Sequence, residues 1–362
     1  MVALGMMALE HTPVFGICGF SGAGKTTLIL ELVRRLRARG LATLVIKHDA
    51  HGLTIDRPGK DSQRFFAAGA DIIARDQEQS FARLHRDDSE DLADLVARAQ
   101  RDYDVILVEG HKTTPLPRKL WLRRHVRDRV PRACLPVDLD LRRDQDRITA
   151  AWAWIEQALE HVHRAAPTLT GILIGGGSTR MGRSKQLLSY GGRTWLARIV
   201  AAAKPVTNGV VLLGSGQVPR SCALLPRLPD APGLAGPLAG MCAALRWRPD
   251  ARWIFLACDS PRVTSDALNW LKNQSRPGIW AVQPRLSPGD PPEPLPGWYD
   301  FRTAPALASA RGPSWLARHP RTATPVLPGQ FTNAWLNCNT PADARRLDAM
   351  PASHRRTTIK RA

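Results

Sequence analysis

The sequence predicts an α/β protein built from two doubly wound domains. Its 362 residues exceed the usual size of one hydrophobic core and fit two domains. Strand-like apolar runs alternate with helical stretches, which is typical of a parallel sheet with crossover helices. A glycine-rich loop follows a strand-like run twice, at residues 19–26 and 175–185. Since such loops bind phosphate groups through backbone N–H groups, the sequence predicts two phosphate sites.

The predicted elements of the first domain alternate between strand and helix. In chain order they are the strand Val14 to Cys18, the helix Leu28 to Arg39, the strands Thr43 to Lys47 and Val105 to Val108, and the helix Ile148 to Glu160. A short linker containing Pro167 then precedes a strand that is expected to begin at Gly171. The predicted domains cover residues 12–163 and 169–348, and a basic tail follows at 349–362.

The net charge of +19 is unevenly distributed. Residues 1–168 hold 26 basic against 23 acidic residues, whereas residues 169–362 hold 25 against 9. The positive electrostatic field of the second half favours anionic ligands. A small phosphorylated substrate is favoured over nucleic acid as the ligand, because the basic residues are dispersed along the sequence. The chain has 42 Arg but 9 Lys, so lysine marks places where a compact ammonium is needed. Five of the nine lie in the motifs below: Lys25, Lys47, Lys60, Lys112 and Lys185.

The six cysteines are scattered without a CxxC pair, which argues against a disulfide framework or a zinc site. His48 and His51 lie three residues apart, but a pair without a third ligand is more often hydrogen-bonded loop structure. The apolar stretch Met1 to Leu9 has no basic region before it and is too short to span a bilayer, so we expect a frayed extension. A cytoplasmic protein without a membrane segment is therefore expected.

The first glycine-rich loop has the pattern Gly-x-x-x-x-Gly-Lys-Thr from Gly19 to Thr26. The glycines let backbone N–H groups face phosphate oxygens, Lys25 reaches the β and γ phosphates, and the Thr26 hydroxyl can ligate Mg²⁺. A buried-strand run from Asp104 ends in Glu109, where a carboxylate can supply a second Mg²⁺ contact. This domain is therefore expected to bind a nucleoside triphosphate with Mg²⁺.

Five segments of this domain occur in the order and spacing of a known family. They are SGAGKTTL (21–28), IKHDAH (46–51), PGKDS (58–62), AAGAD (67–71) and VILVEGHK (105–112). They resemble MobB, the GTP-binding adaptor of molybdopterin guanine dinucleotide synthesis, which implies a P-loop NTPase-like fold, weak GTPase activity at most and a homodimer through this domain. The resemblance implies that GTP phosphates contact Gly22, Gly24, Lys25, Thr26 and Thr27, with Thr26, Glu109 and Asp61 near the metal. No residue stands out as an arginine finger, so we expect binding more than turnover.

The second glycine-rich loop, Gly175 to Gly182, follows the apolar residues Ile172 to Ile174. Arg180 and Lys185 can neutralise the charge that builds on pyrophosphate as it leaves. The apolar run that starts at Trp253 ends in Asp259, and an aspartate in such basic surroundings is the expected Mg²⁺ ligand.

Together with GPLAG (236–240), NCNTP (337–341) and Asp230, these features resemble the molybdenum cofactor guanylyltransferase family, MobA, over about residues 169–347. The resemblance implies a Rossmann-like nucleotidyltransferase fold. It implies guanine and ribose contacts at Leu173, Gly175 and Gly176, triphosphate contacts at Arg180 and Lys185, Mg²⁺ on Asp259, Asp230 on the nucleotide side, and Asn337 and Asn339 toward the pterin. Two positions depart from the family: Ile174, which is expected to narrow the base pocket, and Ser184, which removes a negative charge near Lys185.

The expected function is a fused enzyme of molybdenum cofactor biosynthesis. Its second domain is expected to transfer GMP from GTP to molybdopterin or its molybdenum form and to release pyrophosphate. The first domain is expected to act as a GTP-binding adaptor, with a molybdoenzyme acceptor or chaperone as partner. Two alternatives stay open: a cytidylyltransferase, which the sequence RSKQLL (183–188) favours, and an adaptor with a degenerate, non-catalytic second domain.

Overall fold

The computed structural model describes residues 11–47, 61–75, 77–85, 91–175 and 184–349. The chain divides into two compact units, residues 1–164 and 165–362. Both are α/β units, as the alternation of strand-like and helical runs predicts; the main sheet of the first unit is parallel and that of the second is mixed. Each unit is described by itself below.

The first unit is built on a five-stranded parallel sheet with the order β2-β5-β1-β6-β7. Strands β3 and β4 form a separate antiparallel pair. The strands are β1 (Val14–Gly19), β2 (Thr43–Lys47), β3 (Ile72–Arg75), β4 (Ser80–Arg83), β5 (Val105–Glu109), β6 (Lys119–Leu122) and β7 (Leu139–Leu141). The helices are α1 (Lys25–Ala38), α2 (Asp61–Ala67), α3 (Leu92–Ala99) and α4 (Arg147–Ala165).

Helices cover both faces of this sheet, because successive side chains of a strand point to opposite faces. On one face Phe15 packs in a cluster with Leu32 of α1 and Ile155 of α4. On the other face Val14 packs in a cluster with Val96 of α3. The unit is therefore doubly wound, and β1 lies at its centre.

The helix α4 is longer than the sequence pattern predicts. It runs to Ala165, whereas the expected end was Glu160, and β8 then begins at Thr168 rather than Gly171. The apolar spacing explains the difference, since Val162 continues the buried face of Ile155 and Leu159. The segment between the two elements is thus shorter than predicted.

The second unit contains a seven-stranded mixed sheet with the order β12-β11-β8-β13-β15-β14-β16. Strand β15 is antiparallel to both neighbours, and β9 and β10 pair separately. The strands are β8 (Thr168–Leu173), β9 (Ser189–Tyr190), β10 (Arg193–Thr194), β11 (Val210–Leu213), β12 (Arg227–Leu228), β13 (Arg252–Ala257), β14 (Ala281–Val282), β15 (Gly297–Tyr299) and β16 (Thr322–Ala323). The helices are α5 (Trp195–Ala203), α6 (Pro237–Trp247), α7 (Ser265–Asn273), α8 (Ala304–Ala308) and α9 (Pro341–Ala349).

Two clusters fill the two faces of this sheet. Ile172 packs with residues of α5 and α7 on one face, and Leu173 packs with residues of α6 and α8 on the other. Ile174 is 1% exposed and lies in the first cluster, so it fills the core. The expectation that this side chain narrows the base pocket was wrong, because the strand alternation turns it to the face that α5 and α7 cover.

Within the described ranges, none of the helices is both long and apolar enough to cross a lipid bilayer. All six cysteines are buried, and none of them forms a disulfide.

Candidate nucleotide sites

The first glycine-rich loop connects β1 to α1 at the carboxyl edge of the first sheet. All six residues of β1 are buried, and α1 begins at Lys25. Its N-cap residue is Gly24 with φ 90°, a left-handed conformation that a residue with a Cβ rarely adopts. The loop therefore places the N-terminus of α1, with its free N–H groups, beside the end of β1.

The Lys25 ammonium folds back onto its own loop, where Nζ donates to the Phe20 carbonyl at 3.0 Å. Burial lowers the pKa of Lys25 below its ordinary value; Glu109 opposes this shift and Lys112 adds to it. The Lys112 ammonium also lies 5.3 Å from the centre of the Phe20 ring. Two ammonium groups thus lie close to the loop, an arrangement that an anion would stabilise.

The Thr26 hydroxyl donates to Glu109 Oε1 at 3.1 Å. Glu109 is the last residue of β5, and the next residue is held in place because Gly110 N donates to the Ile17 carbonyl at 3.2 Å. The structure therefore brings together two of the predicted metal contacts. A hydroxyl and a carboxylate at a helix N-terminus are oxygen ligands of the kind that Mg²⁺ prefers.

The other predicted residues of this site are placed differently. Gly22 and Thr27 belong to the loop and to the first turn of α1, and both are exposed. Asp61 is the first residue of α2; its side chain is 86% exposed, and Arg64 lies 4.0 Å away. No hydrogen bond joins Asp61 to Thr26 or Glu109 in the described part of this unit. His48, His51 and residues 58–60 of the PGKDS segment lie outside the described residues.

The candidate site of the second unit centres on Lys185. Its Nζ donates to Asn339 Oδ1 at 2.6 Å and to Asp259 Oδ2 at 3.3 Å. The two charged side chains are 16% and 19% exposed. Three predicted site residues from three distant parts of the sequence thus share one hydrogen-bonded group.

Asp259 follows β13 and is held by its backbone as well as its side chain. Its carbonyl accepts from Cys338 N at 2.8 Å, and the neighbouring Ser260 Oγ donates to Asn337 Oδ1 at 2.9 Å. The other carboxylate oxygen, Oδ1, is buried and has no hydrogen-bond partner among the residues that the structure describes. A buried carboxylate oxygen of this kind has the chemistry of a cation ligand.

Asp230 lies across from the end of β8. Its carboxylate oxygens lie 3.7 and 3.6 Å from the positions that a Cβ would take on Gly175 and on Gly240. A Cβ on Gly240 would also lie 2.6 Å from the Leu173 side chain, so a glycine is needed where α6 approaches β8. The structure thus groups four predicted features: Leu173, Gly175, Asp230 and the GPLAG segment. Gly176 and Arg180 lie outside the described residues.

Several residues of these sites were missed at the level of sequence. Arg147 donates to the Ala23 carbonyl of the first loop at 2.9 Å, and no motif marked it. Asp343 accepts from Asn339 N at 3.0 Å and from Thr340 N at 2.9 Å, so it holds the segment that carries Asn339. The Thr-Pro-Ala-Asp sequence at 340–343 is a helix-start signal that could have identified it.

A metal ion at either site would need ligands beyond the protein. Among the residues that the structure describes, no group of three His, Cys, Asp or Glu side chains converges. Mg²⁺ commonly binds one or two carboxylates and completes its shell with water and substrate phosphates. Both sites match that sparse donor set.

Comparison with known proteins assigns each unit to a family. The family model described as molybdopterin guanine dinucleotide synthesis protein B matches residues 14–136, and the MobA-like NTP transferase domain matches residues 170–323. The chain is 33% identical to the molybdopterin-guanine dinucleotide biosynthesis adapter protein of Haemophilus influenzae, over 43% of this chain and 94% of that protein. It is also 33% identical to the molybdenum cofactor guanylyltransferase of Rhodopseudomonas palustris, over 50% of this chain and 91% of that protein.

A solved structure of molybdopterin-guanine dinucleotide biosynthesis protein A from Archaeoglobus fulgidus aligns with a TM-score of 0.43 at 22% identity, over 50% of this chain and 97% of that one. The two families occur here in one polypeptide, in the order that the motifs predict. The family models and the two relatives show that the chain belongs to both families: its first unit is a MobB-type adapter domain and its second unit is a MobA-like nucleotidyltransferase domain of molybdenum cofactor biosynthesis.

Proposed function

We propose that the second unit transfers GMP from GTP to the terminal phosphate of molybdopterin, or of its molybdenum form, and releases pyrophosphate. The observation that carries the proposal is the group formed by Lys185, Asp259 and Asn339. It combines a cation, a carboxylate and an amide at the carboxyl end of β13, where an α/β sheet of this kind binds its ligand.

The reaction needs no protein nucleophile. A terminal phosphate oxygen of molybdopterin forms a bond to the α-phosphorus of GTP, and the bond from that phosphorus to the oxygen that bridges to the β-phosphorus breaks. The electron pair leaves with pyrophosphate, and because the attacking phosphate is already anionic, no proton has to be removed. The protein therefore acts by positioning the two phosphates and by neutralising charge.

Lys185 and Asp259 would divide this work. Lys185 would bind the triphosphate and neutralise the charge that develops on the leaving pyrophosphate. Asp259 would hold Mg²⁺, since its Oδ1 is buried without a partner and therefore fits a cation. When bound, Mg²⁺ would supply further neutralisation at the reacting phosphates. Arg180 would assist on the triphosphate, and Asn337 and Asn339 would lie toward the pterin.

Leu173, Gly175, Gly176 and Asp230 would form the guanosine side of the site. The position of Asp230 beside Gly175 supports this assignment. The burial of Ile174 in the core removes one argument for a degenerate second unit. The name of the Rhodopseudomonas palustris relative supports GTP over CTP as the substrate.

The decisive test is pyrophosphate release by the purified chain with Mg²⁺ and molybdopterin, with GTP compared to CTP. Release with GTP alone is the expected result. Release with CTP alone would make the second unit a cytidylyltransferase. Release with neither nucleotide would favour the alternative of an adaptor whose second unit is degenerate and non-catalytic.

We further propose that the first unit binds GTP and Mg²⁺ as an adaptor. Gly22, Gly24, Lys25, Thr26 and Thr27 would hold the phosphates, with Thr26, Glu109 and Asp61 near the metal. The contact between Thr26 and Glu109 is the main support. Both units would bind GTP, so a titration of the full chain measures the sum of two sites. GTP binding by the first unit is therefore defined as the part of the total binding that is lost in Lys25→Ala. A titration of Lys25→Ala that matches the wild-type chain would refute the adaptor site.

The remaining expectations about this protein stay predictions. They are a homodimer through the first unit, a molybdoenzyme acceptor or chaperone as partner, and a cytoplasmic location. Sedimentation of the full chain would test the dimer, and pull-down with a purified molybdoenzyme would test the partner.

A further inference from the structure

Arg147, the first residue of α4, fixes the chain beside the first glycine-rich loop. Its Nη1 donates to the Ala23 carbonyl of the loop at 2.9 Å, and its Nη2 donates to the Arg123 carbonyl directly after β6. Its Nε donates to the Arg142 carbonyl at 2.9 Å. One guanidinium thus ties the loop to the segment that begins with residue 123.

The first two arginines of that segment, Arg123 and Arg124, differ in their surroundings. Arg123 Nε donates to Asp140 Oδ1 at 2.8 Å, and this pairing raises the pKa of the guanidinium. Arg124 lies over the loop, where its Nε is 3.9 Å from the position that a Cβ on Gly22 would take. The Arg124 side chain is exposed, and it forms no hydrogen bond or ion pair with any residue of the described ranges.

A phosphate held by the backbone N–H groups of this loop would lie within the reach of that guanidinium. The planar guanidinium matches two phosphate oxygens, and hydrogen bonds between charged groups are stronger than neutral ones. Arg147 fixes the backbone at Arg123, so little backbone freedom would be lost when Arg124 binds.

We propose that Arg124 is a phosphate-binding residue of the first unit, in addition to the residues of the glycine-rich loop. The proposal rests on the proposed binding of GTP by this unit. Arg124 would supply a second cation to the phosphates besides Lys25. It lies outside the sequence motifs, about 100 positions after the loop.

An exposed arginine in a chain with 42 arginines is usually a solvated surface residue. Arg127 provides the matched control, because it is exposed on the same segment and carries the same charge. Among the described residues, Arg124 and not Arg127 lies within 4 Å of the position that a Cβ on Gly22 would take. Removal of Arg127 therefore changes the net charge by the same amount but leaves the guanidinium over the loop in place.

The experiment titrates the full chain with fluorescently labelled GTP and Mg²⁺ and uses Lys25→Ala to define the component of the first unit. Arg124→Ala should weaken this component about tenfold, Arg124→Lys should weaken it less, and Arg127→Ala should leave it unchanged. Inorganic tripolyphosphate, which has no base or ribose, serves as a competitor. Its affinity should fall by the same factor in Arg124→Ala, and unchanged melting temperatures should show that the variants are folded.

Three results would overturn the proposal: no loss in Arg124→Ala, an equal loss in Arg127→Ala, or a loss for GTP without a loss for tripolyphosphate. Failure of the proposed function gives a different result, because Lys25→Ala would then bind GTP like the wild-type chain. In that case the first unit has no phosphate site, and Arg124 cannot be a phosphate-binding residue.

Discussion

The two candidate sites contain the same pair of groups, a lysine and a carboxylate at the carboxyl end of a strand, in different arrangements. In the first unit they are kept apart: Lys25 donates to the Phe20 carbonyl, and Thr26 donates to Glu109. In the second unit they are joined, since Lys185 donates to Asp259. The first site is thus preorganised by a local loop, whereas the second is assembled from side chains that are distant in sequence.

Because of this difference, the two sites should differ in their sensitivity to single substitutions. A contact in the first site can be removed while the backbone N–H groups of the loop remain. In the second site, Lys185 bridges two other groups, so its loss removes both contacts, and the loss of Asp259 or Asn339 leaves Lys185 with only one of them. Substitutions in the second unit should therefore have the larger effects.

The largest effect is expected for Asp259→Asn, which should lower pyrophosphate release about a thousandfold. The amide removes the negative charge that would hold Mg²⁺ and leaves Lys185 without its ion pair. Pyrophosphate release with GTP, Mg²⁺ and molybdopterin is the measurement. Asp266→Asn, an exposed aspartate in the first turn of α7, is the control. Wild-type release by Asp259→Asn would remove this carboxylate from the mechanism.

A smaller loss of about a hundredfold is expected for Lys185→Ala, because one cation is lost while Asp259 remains. Lys185→Arg should not restore activity, since a planar guanidinium does not fit the half-buried position between Asp259 and Asn339. Separate kcat and KM values would check this. Full activity of Lys185→Arg would show that the site needs a positive charge but not a compact ammonium.

In the first unit, Thr26→Val should weaken the Lys25-dependent binding of GTP about tenfold in the presence of Mg²⁺. The substitution removes the hydroxyl that contacts Glu109 and that would ligate the metal. Titrations with Mg²⁺ and with EDTA would separate the two effects. If the variant kept the same dependence on Mg²⁺ as the wild-type chain, Thr26 would not be a metal ligand.

The smallest effect concerns pH. Burial lowers the pKa of Lys25 from its ordinary value of 10.5, so the ammonium loses its proton at a lower pH than an exposed lysine. Phosphate binding needs the charged form, so the Lys25-dependent binding of GTP should weaken with rising alkaline pH, and at a lower pH than an ordinary lysine pKa of 10.5 would give. Lys25→Ala, titrated over the same pH range, supplies the baseline, since it lacks the ammonium. A flat wild-type profile would contradict the prediction.

Local features of both sites could be predicted from the sequence. The loop from Gly19 to Thr26 is specified by adjacent residues, and Glu109 and Asp259 lie at the carboxyl ends of apolar strands that the sequence predicts. Helix α4 was predicted too short, although Val162 continues the apolar spacing of Ile155 and Leu159 and so indicates the longer helix.

Long-range contacts could not be predicted. The family resemblance assigns Lys185 and Asn339 to one site but not to a shared hydrogen bond, and no motif relates Arg124 to Gly22, because tertiary packing decides which loops meet. The burial of charged side chains could not be predicted either. Lys119 is 2% exposed, and its Nζ donates to the Lys112 and Cys134 carbonyls at 2.9 and 3.1 Å. Composition alone assigns such a lysine to the surface.

The hydrogen bond from Cys338 N to the Asp259 carbonyl has a consequence for shortening the chain. The two large clusters of the second unit include no residue beyond Trp335. A chain that ended after Leu336 would keep those clusters but would lose Asn337, Asn339 and the amide that anchors Asp259. Truncation there should leave a folded unit with an open, inactive site, which separates the residues that build the fold from those that complete the chemistry.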